Sequence, residues 1–178
     1  MALLVEQRQA VGDALAGHLR QVLHDRIDCA QNMVLFAYWP IKGEPDLRAL
    51  MADPNGDGAT VAVPLVDTKT APLTFRLWTP ETKRVRGDRD IPVPVPGAPE
   101  VMPEIALAPV VGWTADGDRL GLGGGYVDRT LAALDPRPFA IGIGFDAARP
   151  NTFYPQPHDI PLDLILTEAG APRNPARD

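Results

Sequence analysis

The chain contains no serine at all and one cysteine, Cys29, in 178 residues. The first absence excludes a serine nucleophile anywhere in the molecule. The second excludes an intramolecular disulfide and any site built from several thiolates. Around the one thiol, "IDCAQN" has none of the features that activate a cysteine, so Cys29 is expected to be an inert, partly buried side chain. Long apolar runs are missing too. The N-terminal "MALLVEQRQ" is interrupted at Glu6, too early for a signal-peptide core, and no stretch approaches membrane-spanning length, so a cytoplasmic protein with no membrane contact is expected. Positive charge is in deficit: the formal net charge is -6. A net field of that sign repels nucleic acid and anionic lipid, which excludes both as main partners but leaves room for a local basic pocket that takes a small anion.

What is abundant is punctuation. The 20 prolines fall mainly between apolar runs, as in a compact domain of many short elements. There is no internal repeat, and 178 residues suffice for one domain with a core of its own, spanning 1–178. Two stretches read as linker-like, "GDRDIPVPVPGAPEVMP" (Gly87 to Pro103) and the tail "GAPRNPARD", of which residues 171–178 are expected to fray. Apolar residues at helical spacing (Val11, Leu15, Leu19, Val22, Leu23) predict an amphipathic helix from about Glu6 to His24. "NMVLFAYWP" and "TVAVPLV" predict buried strands, and "EPDLRALMA" predicts a second helix with Pro45 in its first turn, followed by a "DPNGDG" loop. In "LTFRLW", Leu73, Phe75 and Leu77 alternate with Thr74, Arg76 and Trp78, the pattern of a strand with one wet face. "IALAPVVGW", "FAIGIGF" and "LDLILT" are further runs of strand length, and "YVDRTLAAL" predicts a helix of about two turns. Continuous apolar strands separated by helices define an α/β class: a single three-layer domain, its mainly parallel sheet covered by helices on both faces.

The stretch "DGDRLGLGGGYVDR", Asp116 to Arg129, carries five of the 16 glycines. It follows the run Ile105 to Trp113 and precedes the helix at Tyr126, which places it at the carboxyl end of a strand, where open α/β sheets bind ligands. Consecutive glycines let backbone N–H groups converge on an anion, and the helix N-terminus adds more such groups and a partial positive charge. Arg119 suits phosphate oxygens, and Asp128 suits a hydrated Mg²⁺ held against them. The plainer alternative is that the glycines serve tight turns while Arg119 and Asp128 pair on the surface. Neither the dinucleotide fingerprint nor the P-loop, with its Gly-Lys-Ser/Thr ending, is present.

"RLGLGGGYVDR" resembles the glycine-rich loop of the 5-formyltetrahydrofolate cyclo-ligases, which reads Arg-Leu-Gly-x-Gly-x-Gly-Tyr-Tyr-Asp. "AYWPIKGEPDL", "IALAPVVGWTADGDRLG" and "PHDIPLDLILTEAG" resemble other segments of that family in the same order, so the resemblance runs from about Met33 to Gly170. It implies an enzyme that uses ATP and Mg²⁺ to convert 5-formyltetrahydrofolate, with or without a polyglutamate tail, to 5,10-methenyltetrahydrofolate, as a monomer. Carried over by position, Arg119, Gly121, Leu122, Gly123, Gly124, Gly125 and Tyr126 bind ATP, with Arg119 and Tyr126 nearest the chemistry. Tyr126, Trp39 and Glu44 contact the folate, and Asp128 and Asp159 hold the magnesium.

The resemblance has gaps. The family's basic N-terminal ATP segment has no counterpart, since no lysine precedes Lys42 and Arg8 and Arg20 read as surface charge on the first helix. Val127 stands where the second loop tyrosine is expected. "DRDIPVPVPGAP" replaces a Glu-Pro segment, and "GFDAARPN" lacks a glutamine. These departures motivate a second expectation, a paralogue that binds folate or nucleotide without turnover. A third reading, phosphosugar or acyl-transfer chemistry, needs a nucleophile that the loop lacks. His158, beside a proline, reads as structural, and His18 and His24 are assigned no role.

Overall fold

The computed structural model describes residues 5–26, 33–41, 43–52, 59–122, 124–150, 152 and 154–172. Helix α1 (Val5–Arg26) forms where the apolar stripe requires it, with Leu15, Leu19 and Leu23 at most 3 % exposed, as expected of one face of an amphipathic helix. The strand β1 (Val34–Phe36), the short helix α2 (Arg48–Ala52), β2 (Thr60–Leu65) and β3 (Thr74–Leu77) follow, then the strands β4 (Arg84–Arg86) and β5 (Pro92–Pro94). Next come β6 (Ile105–Pro109), β7 (Gly112–Trp113), β8 (Arg119–Leu120), helix α3 (Tyr126–Ala133), β9 (Phe139–Ile143) and β10 (Leu164–Leu166).

Six strands make one sheet in the order β10-β9-β6-β1-β2-β3. All its pairings are parallel except that of β3, which runs antiparallel along β2 at the edge. Residues 105 to 108 of β6 are all at most 2 % exposed, so both faces of the sheet are covered there, which is why these strands read as unbroken apolar runs. The step from β1 to β2 moves toward one edge, and the step from β6 to β9 toward the other. Right-handed crossovers therefore put α2 and α3 on opposite faces, and α1 packs beside α2. The fold is the mixed, mostly parallel α/β domain that the sequence implies.

Four local expectations change. The second helix begins at Arg48 rather than Pro45: the Asp46 carboxylate accepts from the Arg48 backbone N–H at 3.0 Å, and the Pro45 carbonyl is held by the Tyr38 hydroxyl at 2.8 Å. Trp78 is not on a wet face but 6 % exposed, its ring edge-on to Trp39 at 6.1 Å. The apparent linker Gly87 to Pro103 contains an antiparallel ribbon, in which β5 pairs with β4 around a 3-10 turn at Asp88–Asp90. The run after Ile105 is two strands, not one: β6 ends at Pro109, and Gly112 and Trp113 pair with Leu120 and Arg119. The "DPNGDG" loop, Cys29 and residues 173–178 of the tail lie outside the described residues. No helix among the described residues is long and apolar enough to cross a membrane.

The β7–β8 ribbon is docked through its turn. Gly117 has φ +95°, a Cβ there would stand 2.3 Å from the Leu162 carbonyl oxygen, and the Gly117 carbonyl accepts from Leu162 N–H at 2.9 Å. Gly117→Ala is expected to lower stability by about 1–3 kcal/mol, through the left-handed backbone and the backbone clash together. An unchanged midpoint in urea denaturation would contradict this.

Candidate active site

The strand order reverses between β1 and β6, so the connections leaving their carboxyl ends diverge and open a crevice, the usual ligand position in such sheets. A cavity of about 790 Å³ lies there, within the range of small-molecule sites. Phe36 and Val63, the glycine loop, and Ile91 and Val93 of the ribbon region line it. Trp39, Glu44, Arg119, Tyr126, Asp128 and Asp159 all face into this one space. Sequence elements more than a hundred residues apart thus line one cavity.

Arg119 and Asp128 do pair, but inside the protein rather than on its surface. Arg119 Nη2 lies 2.7 Å from Asp128 Oδ1, with the side chains 6 % and 16 % exposed. The same carboxylate oxygen accepts from the Ile160 backbone N–H at 3.1 Å, and Arg119 Nη1 donates to the Ile160 carbonyl at 3.3 Å. This triangle fastens the loop, α3 and the segment before β10 to one another. It also leaves Asp128 Oδ2 without a partner among the described residues.

The loop itself is built from exposed chain and close approaches. Leu120 and Leu122 are 46 % and 45 % exposed, and a Cβ on Gly121 would meet nothing within 4 Å, so this part of the backbone stands open toward the cavity. Gly125 caps α3 in the left-handed region, φ +59°, a conformation that favours glycine. A residue that the sequence reading left unassigned acts here: Arg129 Nη2 donates to the Gly124 carbonyl at 2.6 Å, and its guanidinium lies 4.9 Å from the centre of the Tyr126 ring. The three-residue spacing of Tyr126 and Arg129 on one helix face was the available signal. Gly123 lies outside the described residues. Val127 lines the cavity and packs against the core.

Glu44, which also lines the cavity, is half-buried, and its Oε2 accepts from the Ile41 backbone N–H at 2.9 Å. Burial raises its pKa above the ordinary 4.5 and outweighs the opposing effect of that hydrogen bond. Asp159 Oδ2 accepts from the Gln156 backbone N–H at 2.8 Å, while among the described residues its Oδ1 has only His158 Nε2, 3.8 Å away. His158 is 79 % exposed at the side chain and lines the cavity. His18 packs structurally, its Nδ1 3.2 Å from the Thr167 carbonyl. Among the described residues no three His, Cys, Asp or Glu side chains cluster as a metal cage.

A model of the 5-formyltetrahydrofolate cyclo-ligase family matches residues 2–168, and the chain belongs to that family. The 5-formyltetrahydrofolate cyclo-ligase of Escherichia coli K12 is 27 % identical over 172 residues, 93 % of this chain and 92 % of that one. The protein of the same name from Haemophilus influenzae is 28 % identical over 143 residues, 77 % and 75 % of the two chains. The solved structure of a 5,10-methenyltetrahydrofolate synthetase from Aquifex aeolicus has the same fold, with a TM-score of 0.78 at 23 % identity, covering 96 % of this chain and 84 % of that one. A synthetase of that name from Mycoplasma pneumoniae superimposes with a TM-score of 0.71 at 22 % identity, covering 94 % and 90 %.

Two outcomes test the site as folded. A carboxyl whose pKa is raised on folding contributes stability that is present when it is protonated and is lost as pH rises from 4.5 through its folded pKa. Glu44→Gln should therefore melt higher than the parent chain at neutral pH, with the gain fading below pH 4.5; a gain that persists in acid would refute burial as the cause. Asp128→Ala strands a buried guanidinium and is expected to cost about 3–5 kcal/mol, whereas Asp128→Asn keeps an acceptor and costs less. Equal denaturation midpoints for the two variants would show that the pair does not anchor the loop.

Proposed function

We propose that the protein is a 5-formyltetrahydrofolate cyclo-ligase, converting 5-formyltetrahydrofolate and ATP to 5,10-methenyltetrahydrofolate, ADP and phosphate. The observation that carries this reading is the cavity at the strand-order reversal, lined both by the glycine loop and by a half-buried carboxylate, Glu44. A formyl oxygen on an amide-like nitrogen is a poor leaving group. Its phosphorylation makes the carbon electrophilic, N10 of the folate attacks, and the five-membered ring closes as phosphate departs. The protein's part is positioning and charge balance.

In this reading the backbone from Gly121 to Gly125 and the first turn of α3 receive the triphosphate. Arg119 supplies positive charge at the phosphoryl being transferred. Tyr126, clamped by Arg129, lies beside the formyl group. Glu44 takes the ring N–H donors of the pterin. Its raised pKa suits a group whose charge is balanced only by bound donors. Trp39 gives the flat ring an aromatic neighbour.

The donor set fits magnesium. The ion keeps several waters and needs only one or two carboxylates besides phosphate oxygens, and Asp128 Oδ2 and Asp159 Oδ1 are carboxylate oxygens at the cavity without a close partner among the described residues. Bound there, Mg²⁺ would neutralise charge that develops on the phosphates.

One observation favours a second reading, binding without turnover: Arg119 is already neutralised by Asp128. Absorbance distinguishes the two. Purified protein with 5-formyltetrahydrofolate, Mg²⁺ and ATP is expected to form the methenyl product, and a reaction without ATP is not. Folate binding with no ATP-dependent product, in a cuvette where an added authentic ligase works, would establish the second reading.

A further inference from the structure

Arg129 is a cation without a counter-ion at the cavity wall. It lines the cavity beside Gly124, Gly125 and Tyr126. Among the described residues no carboxylate pairs with it, since Asp128, its neighbour in the chain, is taken by Arg119. Its Nε is buried with no acceptor, so the side chain forgoes a hydrogen bond to reach its place. Gly125 caps α3 at that place, which is the positive end of the helix dipole and disfavours a cation.

What the guanidinium fits is the loop backbone. Nη2 donates to the Gly124 carbonyl at 2.6 Å, and a Cβ on Gly125 would stand 2.8 Å from Nη1. The centre of the Tyr126 ring is 4.9 Å from the guanidinium, and a Cβ on Gly124 would stand 2.8 Å from Cδ2 of that ring. Carbonyl, cation and ring thus form one compact unit that glycines at 124 and 125 admit without a clash.

The consequence falls on the next N–H. The peptide between Gly124 and Gly125 is trans, and a trans peptide carries its C=O and N–H in opposite directions. With the carbonyl drawn to Arg129, the Gly125 N–H points away from the guanidinium. That N–H and those of Tyr126 and Val127 donate to nothing among the described residues, and Gly125 is exposed. Between two glycines an unheld peptide turns over at little cost, and its carbonyl would then face the anion that the N–H groups are to meet.

We propose that Arg129 is a positioning residue for phosphoryl transfer: it holds the Gly124–Gly125 peptide so that the Gly125 N–H is presented to a phosphate oxygen. It keeps the Tyr126 ring beside that peptide and does not itself touch the reacting atoms. The proposal rests on the reading of the loop as the triphosphate site. Donors fixed in advance cost no reorganisation when charge arrives, and the bound anion supplies the negative charge that Arg129 and the end of α3 lack.

Calorimetric titration of the full chain with ATP and Mg²⁺, and separately with 5-formyltetrahydrofolate, tests this. Arg129→Met keeps the length and the packing on Tyr126 but removes the donor. It is expected to weaken ATP about tenfold to a hundredfold, the scale of one hydrogen bond to a charged group, and to leave folate affinity unchanged. Arg129→Lys keeps a charged donor but lacks the planar fork, so it should lose only part of the ATP affinity. In ¹⁵N–¹H spectra the Gly125 amide should shift on addition of ATP and Mg²⁺ in the parent chain and not in Arg129→Met. Both variants binding ATP like the parent, or losing the two ligands equally, would overturn the proposal, the second because Arg129 would then only prop Tyr126. Turnover separates this from the proposed reaction. ATP binding that depends on Arg129 in a chain that forms no methenyl product would sink the reaction and leave the positioning role standing. Normal turnover with unaltered variants would sink the role alone, and a parent chain that binds no nucleotide would sink both.

Discussion

Parallel pairing of β1 with β6, Leu35 against Ile105 and Phe36 against Ala106, is the contact on which the rest of the molecule depends. At its start, Glu104 and Val34 exchange two hydrogen bonds: the Val34 N–H donates to the Glu104 carboxylate at 2.7 Å, and the Glu104 N–H donates to the Val34 carbonyl at 2.9 Å. Because the chain moves outward in opposite directions from these two strands, their carboxyl ends are left facing a common gap. Everything assigned to the site, from Trp39 to Asp159, hangs on segments that leave β1, β6 or β9.

The Arg119–Asp128–Ile160 triangle shows how the site is kept in shape without a ligand. An isolated buried charge would be costly, and here each charge is satisfied by the other and by the backbone of a third segment. The same arrangement means that a phosphate drawing on Arg119 must offer at least what Asp128 gives it. A magnesium ion on Asp128 and a phosphate on Arg119 would do so together, because each would then have a new partner of opposite charge. In the proposed reading, substrate binding and loop geometry are linked through one ion pair.

Much of this was legible in the sequence, for identifiable reasons. The helices α1 and α3 and the buried strands carry patterns that only burial explains, and the glycine loop sits where the alternation of elements must place a ligand. The ribbon β4–β5 was hidden because proline-rich "IPVPVP" lacks the look of a strand, although Ile91, Val93 and Val95 keep a period of two. Trp78 was misplaced because strict alternation assigned it to solvent, whereas Trp39 from another element covers it. The inward turn of the Arg119–Asp128 pair and the clamp of Arg129 on Tyr126 depend on where the 156–162 segment and the loop backbone lie, which no local pattern encodes.

The β1–β6 register has one more consequence, for the order of events as the chain is made. Trp39 and Glu44 leave the ribosome early, yet the wall opposite them cannot exist until β6, the loop and finally Asp159 and Ile160 have been synthesised. Pairings between distant segments form slowly, since the loop between them must close before any contact rewards it. A nascent chain therefore carries half a site for most of its synthesis, with the apolar residues of β1 and β2 uncovered on one flank. Late pairing of β6 with β1 therefore closes the core and completes the cavity in the same step.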